Sequence, residues 1–211
     1  MRIICLTNSS KNSGRCISGI EVSTGEWVRP VDKNMEDGRI PGTITYSDGR
    51  ELKTLDIVDI PISNEKYGDE KENKVVLGYQ WKYIAKAKVS DIRPYCDASI
   101  LYSQNEDFLN FIPHLYLKSL AVENRRTLQV IETSNFSAYI NQYGKKRGKI
   151  PLKSGKTLDL PITDPEMYSR LDAREKISPH CLIVLSFGQP WSSKEDGDKL
   201  CYRLIASVLE L

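Results

Sequence analysis

The sequence is poor in the groups that metal and nucleophilic chemistry use. Among 211 residues there are two histidines, His114 and His180, and neither has a partner at ligand spacing. His180 and Cys181 adjoin, so in a strand they face opposite sides and do not share a metal. The five cysteines (5, 16, 96, 181 and 201) contain no Cys-x-x-Cys pair, which removes zinc knuckles and thioredoxin-type chemistry. Cys5, Cys181 and Cys201 sit among apolar residues, the setting of buried free thiols in a reducing cytoplasm. Arg15 precedes Cys16, and a neighbouring cation lowers a thiol pKa, but the strand-like run to Ile20 makes burial the simpler account of Cys16. There is no P-loop and no Gly-x-Ser-x-Gly elbow, and Gly188-Gln189-Pro190 lacks phosphate-loop spacing. No apolar run approaches the ~18 residues of a transmembrane helix. The opening Met1–Leu6 is a short apolar run that meets polar residues at Thr7, which reads as a buried strand rather than a signal peptide. The expectation is a cytoplasmic protein with no cofactor, no metal, no membrane partner and no catalytic residues. Asp32, Glu36, Asp37, Asp56 and Asp59 are enough carboxylates for a metal-dependent enzyme by count alone, and that is the minor reading.

What is present is strand. Hydrophobic residues make up 40% and charged residues 27%, a globular balance rather than a disordered one. Segments 2–7, 15–22, 27–31, 54–62, 75–89, 126–133, 156–160, 181–187 and 199–209 carry the β-branched and aromatic content of strands. Pro61 places the 54–62 strand at an edge or leaving its sheet. Helices are few and short. The best is 163–173, where Asp164 caps, Pro165 fits the first turn and Glu166 suits the dipole. Segment 103–111 is a second candidate, ending before Pro113. This pattern predicts a mostly β fold built from barrels or a sandwich.

The binding chemistry gathers in four places. Thr7–Arg15 offers small hydroxyls, amides and two cations beside the first strand, which suits phosphate oxygens through Asn8, Ser9, Lys11 and Arg15. Trp27 and Arg29 share a face of the next strand, with Arg29 able to hold a phosphate bidentately or to pair with Glu21 or Glu26. Tyr79, Trp81 and Tyr83 alternate along a strand, as a stacking platform or, more often, as core. The net charge is only +2, yet 113–156 holds nine Lys/Arg against two Asp/Glu while 1–60 is balanced at eight against nine. Inside that basic segment lie Arg125 and Arg126, then Tyr139 and Tyr143 beside the four cations Lys145, Lys146, Arg147 and Lys149, with Gly144 and Gly148 among them. This reads as a mobile loop that closes on a phosphate backbone, with a tyrosine stacking on a base.

Several of these segments carry a family likeness. Cys5-Leu6-Thr7-Asn8-Ser9, Gly14-Arg15-Cys16-Ile17-Ser18-Gly19-Ile20-Glu21 and Thr24-Gly25-Glu26-Trp27-Val28-Arg29-Pro30-Val31 resemble the opening signature of the dual OB-fold domain family. Leu158–Glu166, Leu185–Trp191 and Cys201–Ala206 continue the likeness. The resemblance implies two small OB-like barrels, nucleic-acid or nucleotide binding, and a setting in bacterial defence with a protein partner from a neighbouring gene; it implies no known reaction. A short echo between Leu52–Ile62 and Gly155–Ile162 fits a duplication. The expected division is 1–105 and 106–211, falling in the polar run of 101–113, with the last strand free to return to the first barrel. The leading functional expectation is non-catalytic binding of single-stranded DNA or RNA that weakens steeply with salt. The alternatives are a nucleotide sensor using the Thr7–Arg15 turn and a protein-interaction scaffold.

Overall fold

The computed structural model describes every residue except Asn64, Lys66, Glu195 and Asp196. It divides into two compact units, Met1–Ile92 and Arg93–Leu211.

The first unit is built from β1 (Arg2–Lys11), β2 (Gly14–Glu21), β3 (Trp27–Val31), β4 (Ile40–Pro41), β5 (Asp56–Asp59), β6 (Asn73–Val75) and β7 (Lys82–Lys86). β1, β2 and β3 form an antiparallel meander, and β3 pairs in parallel with β6. Beyond β6 the chain returns onto the residues after β5: Ile62 bridges Val76, and the Leu77 N–H donates to the Pro61 carbonyl at 2.8 Å. β7 continues that pairing on β5, and β5 pairs with β1. The ring therefore runs first, second, third, fifth, fourth and back to first, the Greek-key order of an OB barrel. Pro61 sits where the fourth strand passes from one partner to another, as its missing N–H requires. The interior holds Ile3, Cys5, Ile17, Val28, Val58 and Ile60, and the long connection after β3 adds Ile40, Ile44, Tyr46 and Leu52 to it.

The second unit repeats the ring with different parts. It contains β8 (Phe111–Pro113), α1 (His114–Ser119), β9 (Leu128–Thr133), β10 (Ser137–Ile140), β11 (Lys146–Pro151), β12 (Thr157–Pro161), α2 (Pro165–Asp172), β13 (Cys181–Phe187) and β14 (Leu200–Glu210). β9 and β10 are two halves of one bent strand: β9 pairs with β13, and β10 pairs with β11. β11 pairs with β12, Ile162 bridges Ile205 of β14 in parallel, and β14 pairs with β13. The ring again closes in OB order. The last strand stays within this unit, between β8 and β13. Its core is Phe136, Ile150, Leu158, Leu160, Ile183, Leu185 and Ile205, each large side chain contributing about 1.5–3 kcal/mol by leaving water. Gly148 points into this core, and a Cβ there would stand 2.5 Å from Ile205 and 2.7 Å from Phe136.

Four expectations change. The polar Thr7–Arg15 stretch is not a wide turn but two strands joined by Asn12-Ser13, both at positive φ (43° and 64°), the backbone of a two-residue type I′ hairpin. Segment 103–111 is irregular apart from a 3₁₀ turn at Glu106–Phe108. The 139–149 loop is strand β10, a tight turn and strand β11. The Leu52/Gly155 echo aligns β5, a fourth strand, with β12, a third, so it is a likeness of strand pattern and not of position.

Candidate nucleic-acid interface

In the β10–β11–β12 meander, alternate residues turn inward and outward. Ala138, Gly148, Ile150, Leu158 and Leu160 face the core side; Ser137, Tyr139, Arg147, Lys149 and Asp159 have the opposite parity. On that outer face the Tyr139 hydroxyl donates to Asp159 Oδ2 at 2.6 Å. Arg147 reaches the same residue, through Nε to Oδ1 at 2.7 Å and Nη2 to the carbonyl at 2.6 Å. Lys149 Nζ lies 5.1 Å from the Tyr139 ring centroid, within cation–π range. Burial opposes the ionisation of Asp159, but Tyr139 and Arg147 outweigh it and hold the carboxyl below its ordinary pKa. The bond to Asp159 in turn pushes the Tyr139 phenol up. The platform is thus an aromatic ring with its plane supported on one side and fixed at its hydroxyl.

The turn between β10 and β11 extends the face. Asn141 Oδ1 accepts from the N–H groups of Tyr143 at 3.0 Å and Lys145 at 2.9 Å, and Gly144 takes the positive φ of 71° that closes the turn. This fold-back leaves Tyr143 at 75% exposure. Lys145 is exposed and has no ion pair among the described residues. Lys146 has the other parity: it pairs with Asp172 of α2 at 2.9 Å and lies over Tyr168, so it braces the barrel end instead of the face.

The remaining anticipated residues lie elsewhere. Arg125 folds onto the Leu120 and Lys118 carbonyls at the end of α1, where a cation complements the helix terminus. Arg126 is paired with Asp97 at 2.8 Å. In the first unit, Trp27 and Trp81 are 9% and 3% exposed, and the Trp81 indole donates to the Gly78 carbonyl; neither ring is open to a base. Arg29 is buried, bonded to Asn73 Oδ1 at 3.2 Å with Glu72 at 3.9 Å. Asn8 donates to the Leu52 carbonyl and Ser9 to the Cys16 carbonyl. Lys11 donates to the Asp37 carbonyl, and the Asp37 side chain holds Asn12 and Arg39. Arg15 donates to Ser10 Oγ at 3.4 Å and has no ion pair among the described residues. A polar cleft of about 350 Å³ lies at this hairpin tip, bordered by Lys11, Ser13, Arg15 and Thr43.

Four of the five counted carboxylates are engaged by neighbouring side chains, Asp37 as described above. Asp32 accepts from Tyr79 and Asn34, Asp56 from Tyr46 and Lys86, and Asp59 from Arg2. Among the described residues no three His, Cys, Asp or Glu side chains come together as a metal site. Sequence reasoning counts Lys149 among the cations of this segment but assigns neither it nor Asp159 a contact. Lys149 was legible from its two-residue spacing to Arg147, once that segment is read as strand.

The comparisons with known proteins bear on the fold. A family model described as a dual OB-containing domain matches residues 1–208. No curated protein matches. Among solved structures, the crystal structure of the tetrameric p202 HIN2 aligns with a TM-score of 0.31 and 9% identity, covering 97% of this chain and 86% of that chain; a score that low carries no argument.

Proposed function

The chain belongs to the dual OB-containing domain family, and on that premise we propose that it binds single-stranded nucleic acid, without covalent chemistry, on the β10–β11–β12 face of its second barrel. The observation that carries this is the outer face itself: Tyr139, Arg147 and Lys149 on adjacent strands, continued by exposed Tyr143 and Lys145 on the turn. In OB barrels the face of the second and third strands, with the loop joining the first and second, is where strands of nucleotides lie. Tyrosine stacking tolerates any base and contributes about 1–3 kcal/mol per base, while cations follow the phosphates. DNA and RNA are both within the proposal. A place in bacterial defence belongs to it as well, on the family likeness alone.

The test is fluorescence anisotropy of labelled single- and double-stranded oligomers across a salt series. Because Lys146 is spent on Asp172, this face offers phosphates Lys145, Lys149 and the half-engaged Arg147. The log–log salt slope for single strands is then modest, about −2. Lys145→Ala with Lys149→Ala should weaken binding about tenfold or more and flatten that slope. Absence of binding to every oligomer at low salt would sink the proposal. A second reading rests on the tip cleft of the first unit, where Arg15 and the Asn12-Ser13 turn suit a small anion. It requires stabilisation by phosphate that Arg15→Ala removes.

A further inference from the structure

The second barrel has two ends, and they are finished differently. At the end where β10 turns into β11, α2 closes the barrel with Met167 and Leu171 in the core. At the end where β11 turns into β12 no α-helix lies among the described residues, and the segment 97–109, with its 3₁₀ turn at Glu106–Phe108, lies there instead. Between this segment and the barrel is a cavity of about 320 Å³ walled by Ile100, Leu109, Ile131, Ile150 and Leu152. Ile100, Ile131 and Ile150 belong to the barrel core itself, so the cavity is floored by it. Barrel mouths of this kind are recurrent small-ligand sites, and ~300 Å³ is the lower end of their range. The occupant is therefore small.

The rim defines its chemistry. Ser103, Thr133 and Ser154 are among the lining residues, and their hydroxyls are groups that an acyl chain would leave unused and a heterocycle with ring nitrogens would engage. Four charged residues border the mouth. Asp97 is bonded by Arg126, and Glu132 by Arg93 and His180. Lys153, on the turn between β11 and β12, has no ion pair among the described residues, and Lys156 ends the same turn. The acids are matched already, and the mouth offers Lys153.

The wall opposite the barrel is held rigid at a cost. Arg203 is 1% exposed and has no carboxylate partner among the described residues. It donates to the carbonyls of Leu101, Phe108 and Leu109 at 2.7–3.2 Å and to Gln129 Oε1 at 3.2 Å. Gln129 Oε1 also accepts from the Leu101 N–H, and its Nε2 donates to the Ser99 carbonyl. A buried cation without a counter-ion is expensive, and what it secures is the Ser99–Leu109 wall. A cavity whose wall is fixed before binding spares the ligand the ordering cost.

From the walls, the rim and the clamp we infer that this mouth is a binding site for a mononucleotide-sized anion: a planar ring held between the isoleucines and leucines, and a phosphate at Lys153. The site shares no side chain with the β10–β11–β12 face and stands whether or not that face binds strands. The experiment is calorimetric titration and thermal melting of the full chain with AMP, GMP, CMP and UMP, their nucleosides, and inorganic phosphate. At least one mononucleotide should bind and raise Tm, with its nucleoside and inorganic phosphate each weaker by about tenfold or more. Lys153→Ala should weaken the mononucleotide about tenfold, and Leu152→Trp, which fills the cavity, should abolish binding. If Leu152→Trp impairs folding, Ser154→Trp occludes the mouth from its exposed turn. Anisotropy with oligomers should be unchanged in all three variants. Failure of every mononucleotide at millimolar concentration would overturn the inference. So would binding as tight by inorganic phosphate alone, or binding that survives both Lys153→Ala and Ser154→Trp.

Discussion

At the scale of single residues, this molecule spends its charges on itself. Of the nine cations between 113 and 156, Arg125 serves α1, Arg126 serves Asp97, Lys146 serves α2 and Arg147 is half engaged with Asp159. Buried Arg203 shows the same economy at its most costly, since burial pulls its pKa down to about 10 and its four hydrogen-bond partners are all neutral. Glu132 is the residue whose pairing is most easily measured. Hydrogen bonds from Arg93 and then His180 lower its pKa to about 2 from 4.5. A carboxyl depressed on folding contributes stability that is complete above the unfolded pKa and is lost as pH falls through the folded one. The urea midpoint of the native protein should therefore exceed that of Glu132→Gln at pH 7, and the gap should close between pH 4.5 and pH 2. A gap independent of pH would mean that the two bonds contribute nothing through charge.

At the scale of elements, what the sequence discloses depends on which face of a strand is large. β13 is buried at all seven positions, so its run of Cys181–Phe187 is plainly a strand. β10 and β11 are not, because their inward positions include Ala138 and Gly148, small where Phe136 and Ile205 already fill the barrel. The outward positions are tyrosine and cations. The result is a strand pair without apolar alternation, which reads as a basic loop. The strands that bear the proposed site are the ones the hydrophobic pattern cannot reveal. Trp27 and Arg29 mislead in the other direction: Arg29 looks available until Asn73, 44 positions away, is found beside it. The α2 helix is legible because its signal is local. Asp164 accepts from Glu166 and Met167 N–H groups, and its second oxygen accepts from Val208 of β14. Asp164→Ala should lower stability by about 1–2 kcal/mol, read as a fall in the urea midpoint. An unchanged midpoint would show that α2 is held by packing alone.

At the scale of the whole molecule, two units reach the same five-strand ring by different means. The connection between third and fourth strands is β4 with Tyr46 and Leu52 in one, and α2 in the other. The family likeness was legible from motif residues in both units, and the ring order was not, since parallel pairings such as β3 with β6 and Ile162 with Ile205 join residues that no local pattern links. The basic excess falls within the second unit, as does the exposed aromatic face. That asymmetry is the central claim: one barrel carries the nucleic-acid surface, and it is the β10–β11–β12 side of the second. Amide NMR of the full chain titrated with a short oligo-dT tests it directly. The account predicts that the largest shifts fall on residues 137–149 and 157–161. Shifts confined to the first unit, or none at saturating oligomer, would contradict it.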